Sequence, residues 1–486
     1  MKSPVSVALL FVIPFVLGYC VLFSFSLRIA LAVLVSIPCI AVVLYRPFFP
    51  VLAFVFTWSF SSLLALPITA GGFKLSTLIL IAAFLIWTVK AFLVKDRDLF
   101  ITPLGKPVHV LVLTLFIISL ISILNGRNLE GSLVQVQRFA YCVIIYFFLL
   151  LCVKETSEVK KIIFVFVGAG FIVSLFGMAE GMGWDVYSRL NNRSLLGSSL
   201  PLTTMIRPGS RIHGLAADAD FHGMYMAVVF VFSLYLFFVH SSKGLRLFYS
   251  VVMLLSVINI VGAGSRSAAL GFLFSLVIFW VFVELRFKWL FSVLMLGGIL
   301  LLGFFMLTLV PDLDIERFYR PTGKAKSTLE LRKNNVMIGL AMSLDSPLFG
   351  HGPDGFMANY HRYAPRVVPS ATKRLTSPLN VYLQILVEYG IIGITAFLSI
   401  LGLAIKSLFV SAKRLSGTAR YLPAVILSSL CGYSVFAAFA GGYTNQCYWI
   451  ILALSAIMGS IDRRLQKRVI NPSLTDVGEH LNPSLK

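Results

Sequence analysis

Runs of about 17 to 25 apolar residues, the length that crosses a hydrocarbon core of ~30 Å as a helix, recur along this chain from end to end. No other feature constrains the fold so tightly, because backbone at membrane depth must satisfy its own hydrogen bonds. About fourteen such windows can be drawn, at 5–23, 27–45, 48–66, 75–94, 107–124, 134–153, 161–179, 214–240, 246–262, 266–283, 288–310, 380–408, 421–440 and 443–461. With 58% hydrophobic and 13% charged residues and a mean hydropathy of +0.91, the composition excludes an ordinary soluble domain. The expected fold class is all-α: a polytopic membrane helix bundle of about fourteen transmembrane helices with a large, partly helical outer loop. The first window is read as an uncleaved helix rather than a signal peptide, since Tyr19 is a poor cleavage-site residue and more spans follow.

Lysines and arginines in short loops resist translocation and so orient the chain. Lys2, Arg46, Lys90/Lys95/Arg97/Lys106, Lys154/Lys160/Lys161, Lys243/Arg246, Arg286/Lys288, Lys406/Lys413/Arg414/Arg420 and Arg463/Arg464/Lys467/Arg468 fall on one side in a fourteen-helix count. That side is then cytoplasmic and carries both termini. Much of the +21 net charge is therefore topogenic, and nucleic-acid binding is not needed to explain it. Two long loops on the opposite side, about 180–213 and 311–377, are basic where the rule does not ask for it. The first carries Arg189, Arg193, Arg207 and Arg211; the second runs from Arg317 and Arg320 through Arg332 and Lys333 to Lys373 and Arg374. Guanidinium forks match phosphate oxygens in pairs, so such loops suit a lipid-linked phosphate; a solvated face, or one drawn to anionic head groups, is the alternative.

Within the second loop, Ser327 followed three residues later by Glu330 reads as a capping box opening a short helix that ends before Pro347, with Val336, Leu340 and Leu344 along one side. "SPLFGHGPDGF", 346–356, specifies a tight glycine turn whose backbone amides suit an anion or a sugar hydroxyl, or serve only the turn. "GSRSAALGF", 264–272, places Arg266 at the outer end of a helix, either snorkelling or clamping a phosphate. The Asp-x-Asp pairs at 218–220 and 312–314 resemble metal sites of nucleotide-sugar enzymes but fall outside, and His351 and His361 lack partners at ligand spacing. No metal and no cofactor is expected. The cysteines at 20, 39, 142, 152, 431 and 447 sit in or beside apolar windows and read as small core hydrophobes.

"LNVYLQILVEYGIIG", 379–393, puts Asn380, Gln384 and Glu388 on one helical face. Leaving Glu388 in lipid costs about 2.5–3.5 kcal/mol, so the stripe is expected to face the bundle interior or a wet cavity.

Taken together, "RIHGLAADADFHGMYM" from 211, "GSRSA" from 264, "LRKNNVMIGLAMSLDSPLFGHGPDGF" from 331 and "LNVYLQILVEYGIIG" from 379 resemble the O-antigen ligase and polymerase superfamily of bacterial membrane glycosyltransferases. The resemblance runs from about Arg207 to Gly393. It implies transfer of a glycan from an undecaprenyl-pyrophosphate carrier, on the periplasmic face of the inner membrane, to a hydroxyl of a glycan, lipid A core or protein acceptor. It also implies that Arg211, Arg266 and Arg332 hold the pyrophosphate, and Asn380 is taken with them as substrate-binding. Asn380, nine residues and Gly390-Ile391-Ile392-Gly393 follow the family signature, but Leu379 stands where the family has a histidine that acts as base or positions the acceptor. Substitutes present are His351 and Asp354 in the glycine turn, Asp218, Asp220, His213 and His222 after Arg211, and Glu388; His351 and Asp220 are taken as the catalytic pair to test. A polymerase is preferred to a ligase because the missing histidine bears hardest on ligation. A flippase of lipid-linked sugars shares the helices and the basic surface, but no two-half repeat is visible.

The organisation expected is helices and the first outer loop over 1–213, helices with the Ser-Arg turn over 214–310, the large loop over 311–377, further helices over 378–461 and a disordered tail from 462.

Overall fold

The computed structural model describes residues 48–60, 65–66, 73–94, 107–182, 211–216, 218–283, 288–289, 292, 324–368 and 378–470. Among them are thirteen α-helices: α1 Phe48–Ser59, α2 Leu75–Val94, α3 Pro107–Ile121, α4 Leu129–Cys152, α5 Thr156–Gly181, α6 Ala219–Val239, α7 Lys243–Gly262, α8 Arg266–Phe282, α9 Lys324–Asp345, α10 Gly355–Val367, α11 Val381–Arg414, α12 Tyr421–Ala437 and α13 Gln446–Ile470. The described strands are a two-residue antiparallel pair, Ala65–Leu66 against Phe73–Lys74.

Seven segments among the described residues are long and apolar enough to cross a membrane: Pro107–Asn125, α4, α5, α6, α7, α11 and Gly417–Ala437. Windows 5–23, 27–45 and most of 288–310 lie outside the described residues, as do Arg189, Arg193, Arg207, Arg317, Arg320, Lys373, Arg374, the second Asp-x-Asp pair, Cys20 and Cys39. Window 48–66 is corrected. Its helix stops at Ser59 after 12 residues, roughly 18 Å, with the Thr57 and Ser59 hydroxyls bonded back to the carbonyls of Ala53 and Val55, and the chain then turns into the strand pair.

Helices α6 and α12 are the most enclosed of the candidate spans, 78% buried over their apolar windows. α8 lies against α12 through Gly271 and Gly432. A Cβ on Gly271 would stand 2.7 Å from the Gly432 carbonyl oxygen, so small residues set the approach of the two backbones. Cys142, Cys152 and Cys447 are buried and Cys431 is half-buried, all as free thiols.

Helix α11 is broken at Gly390, whose φ of 66° and ψ of −163° belong to a region that side-chain-bearing residues avoid. The break leaves carbonyls of the preceding turn without helical donors, and the glycine turn supplies them. His351 N–H donates to Val387 at 2.8 Å, Gly352 N–H to Glu388 at 3.0 Å, and Ile391 N–H reaches back to Pro347 at 2.8 Å. These amides are therefore spent inside the protein, where the sequence allowed them to face an anion.

Helix α9 begins at Lys324, so Ser327 lies inside it and is not its N-cap. Its packed side is a different stripe from that of Val336, Leu340 and Leu344. Ile338 and Met342 pack with Phe356, Tyr360, Tyr363, Leu383 and Val387, while Val336, Leu340 and Leu344 remain exposed. One turn of α9 presents two apolar stripes, and contact with α10 and α11 chose between them. At the far end, α13 continues to Ile470, so the disorder expected from 462 does not begin there. Arg463 Nε donates to the Gly459 carbonyl at 2.9 Å in that last stretch.

Candidate functional site

Four separate pieces of chain meet around Asp220. Asp218 caps α6 by accepting from the Asp220 amide at 2.7 Å, which sets Asp220 in the first turn. Arg211 is held in the preceding loop: its Nε donates to the Ala263 carbonyl at 2.7 Å and one terminal nitrogen pairs with Asp220. Ser265 caps α8, accepting from Ala268 N–H at 3.2 Å, and its hydroxyl lies 3.1 Å from that of Ser267, with the Asp220 carboxylate nearby. That cap makes Arg266 the first residue of α8. From α9, Arg332 comes within electrostatic range of Asp220, Arg266 and Arg211 together.

Asp220 pairs with Arg211 and feels the charge of Arg332, while Arg266 and Arg211 repel Arg332, so positive charge in the cluster outnumbers the Asp220 carboxylate. Burial holds the Arg332 guanidinium below its ordinary pKa, with Asp220 opposing and Arg266 and Arg211 adding to the depression. Its Nε is buried and has no hydrogen-bond partner among the described residues. An anion with several oxygens, added here, gains charge-assisted hydrogen bonds and relieves repulsion at once. The structure thus brings together Arg211, Asp220, Arg266 and Arg332.

His351 sits differently. Its Nε2 lies 2.8 Å from the Met342 carbonyl oxygen, which can only accept, so Nε2 carries the proton and Nδ1 the lone pair. Its ring stacks edge-on against Tyr363, and its main chain is tied to α11. Asn380 caps α11 through Oδ1, accepting from Leu383 N–H at 2.9 Å. Leu379, immediately before it, has a φ of 54°.

The polar stripe of α11 points inward. Glu388 is 1% exposed, accepting from Gln384 Nε2 at 3.0 Å and from the Tyr443 hydroxyl at 3.1 Å, while Tyr389 bonds in turn to Tyr443. Gln384 Oε1 accepts from Gly442 N–H at 3.1 Å, joining the stripe to the α12–α13 connection. Sequence reasoning missed Tyr443 and its neighbours. The signal available was "GGYTNQ" at 441–446, a polar run between two strongly apolar helices.

Of the other residues named as substitutes, His213 stacks its imidazole beside Glu180 at 3.4 Å, which raises its pKa chiefly by hydrogen bonding. His222 donates from Nε2 to Asn259 Oδ1 at 3.0 Å, since the Asn259 amide nitrogen already donates to Ser174 and Leu255. Asp354 is raised by burial, with Arg138 pulling the other way.

The described residues thus form a helical bundle with candidate membrane spans and a cationic cluster built from a loop, a helix cap and α9. Residues 251–398 match the family model described as O-antigen ligase, which supports membership of the O-antigen ligase/polymerase superfamily. The matched stretch contains Arg266, Arg332, His351 and Asn380 but neither Arg211 nor Asp220. No curated protein matched the chain.

Proposed function

We propose that this protein is a glycosyltransferase of polysaccharide assembly, acting at the periplasmic face of the inner membrane on an undecaprenyl-pyrophosphate-linked glycan, with polymerisation preferred to ligation. The observation that supports this reading is the Arg211–Asp220 pair with Arg332 in electrostatic range of it and Arg266 in range of Arg332. The three guanidinium groups hold the pyrophosphate. The acceptor hydroxyl attacks the anomeric carbon, the bond from that carbon to the phosphate oxygen breaks, and the carrier leaves as a pyrophosphate whose new charge the arginines neutralise. Attack from the face opposite the leaving group inverts the anomeric centre. Because the leaving group is already stabilised, no metal ion or nucleotide is called for.

The hydroxyl proton needs an acceptor. Asp220 is the carboxylate within the cluster, and we assign it that role; His351, with a free Nδ1 lone pair, positions the glycine turn and the acceptor side. The acceptor is a second lipid-linked repeat in the polymerase reading, and lipid A core or a protein side chain in the alternatives. A lipid-linked sugar flippase is the competing class.

The test uses purified protein in detergent with undecaprenyl-pyrophosphate glycan and acceptor, following carrier release and product together for wild type, Arg211→Ala, Arg266→Ala and Asp220→Asn. Loss of about 10²-fold or more in kcat for the arginine variants, with lipid still bound, is expected. Binding without turnover in the wild type, alongside transbilayer movement in proteoliposomes, overturns the enzyme reading in favour of transport.

A further inference from the structure

Beside the arginine cluster lies a cavity of about 250 Å³ that the reaction just described does not use. It is bounded by the end of α1, the 215–225 segment and the α12–α13 connection. Its apolar walls combine the rings Trp58, Phe221, Tyr225 and Tyr433 with the smaller side chains of the α5 and 215–216 segments. Two of the rings are fixed in place, Trp58 edge-on to Tyr225 at 5.7 Å and the Tyr225 hydroxyl donating to Ser59 at 2.9 Å. Its polar members include Asp218, Asn445 and Gln446, with Ser59 and Thr444 beside them. Asp218 Oδ1 is used by the α6 cap and Asn445 Oδ1 accepts from Cys447 N–H at 3.0 Å, which leaves the second Asp218 oxygen and the Asn445 amide nitrogen for a ligand. His222 also borders the cavity, with Nε2 held by Asn259 and its Nδ1 side covered by Gly214.

Aromatic rings among aliphatic side chains, a carboxylate oxygen and amide donors form an amphipathic lining, neither the dry wall a lipid chain needs nor the charged wall of a phosphate site. A pyranose is complementary to it: one C–H-rich face for the rings and a rim of hydroxyls that both donate and accept. The volume is below the ~300–1,000 Å³ usual for drug-sized ligands and suits about one sugar ring. Asp218, which lines the cavity, accepts from the Asp220 amide at 2.7 Å, so the cavity and the Arg211–Asp220 pair both border the start of α6.

We infer that this cavity is a saccharide subsite that holds a pyranose of the donor glycan next to its pyrophosphate. The inference rests on the lipid-linked donor proposed above and names how its sugar is recognised.

Binding to the full-length protein in nanodiscs separates the two ideas. The probes are lipid-linked repeat purified from producing cells and synthetic undecaprenyl pyrophosphate bearing no sugar. Trp58→Ala and Gln446→Ala are expected to weaken the glycan-bearing lipid by about tenfold and to leave the sugar-free lipid within about twofold, whereas Arg332→Ala weakens both. Gln446→Ala guards against misfolding, since it removes an amide at a helix start and no packed ring. Wild-type binding of both lipids with the Trp58 and Gln446 variants unaffected, or with both lipids weakened alike, overturns the subsite alone. A wild type that binds neither lipid overturns the donor assignment and the subsite with it.

Discussion

Gly390→Ala is the sharpest test of how the glycine turn and the broken helix hold each other. The backbone there is at φ 66° and ψ −163°, a region open essentially to glycine, and forcing alanine into it costs about 1–3 kcal/mol. The added Cβ would also meet the Leu348 carbonyl oxygen at 2.2 Å, its carbon at 2.4 Å and Phe349 N at 2.7 Å. These are backbone atoms that cannot swing aside, so overpacking adds about 1–3 kcal/mol more. The sum, roughly 2–6 kcal/mol, is a shift of about one to four decades in the folded-to-unfolded ratio. Gly402→Ala in the same helix is the control: nothing lies within 4 Å of its Cβ, and alanine in a helix interior is worth about 0.5–1 kcal/mol over glycine. Thermal unfolding in one detergent, read by tryptophan fluorescence, should place Gly390→Ala well below wild type and Gly402→Ala at or above it. Equal melting of the two variants would refute the claim that the turn is keyed into the break.

Glu388→Leu removes the acceptor from the Gln384 amide and the Tyr443 hydroxyl, and each orphaned buried donor costs about 1–3 kcal/mol, so this variant should melt below Glu388→Gln. Leu379→His should melt at or above wild type, because φ of 54° is better tolerated by histidine than by a bulky apolar residue; a clear loss would mean that leucine packing outweighs backbone strain there. His213 offers a pH readout. Its folded pKa is raised above 6.5 by Glu180, so its contribution is fully present below about pH 6.5 and is lost as pH rises through the raised value. Wild type should therefore exceed His213→Gln in melting temperature at pH 6 and converge with it at alkaline pH, and a difference growing with pH would contradict the pairing.

The bundle was legible because membrane depth leaves helices no competitor, and the apolar windows at 107–124, 161–179 and 246–262 each became a helix close to their drawn limits. The inward stripe of α11 was legible for the same reason: an acid in lipid is too costly to face outward. The window at 48–66 was misread because hydropathy does not register where a helix stops, and Thr57 and Ser59 bonding back to the preceding turn gave only a weak warning. Which side of α9 packs inward was left undecided by the sequence, because two stripes of similar character run along it and period alone cannot choose between them.

The sequence by itself determined the solvent, the helical class and the chemistry of the groups available, since hydropathy, arginine forks and glycine positions are properties of residues and their near neighbours. Tertiary structure decided which of those groups meet. Arg211 and Asp220 are nine residues apart, but Arg266 and Arg332 reach them only through the α8 cap and the docking of α9 on α11. It also decided that the amides of the glycine turn serve the break at Gly390, because only the folded chain brings residue 352 to residue 388. Electrostatic and hydrogen-bond energies fall steeply with distance, and distance across the chain is what a sequence does not record.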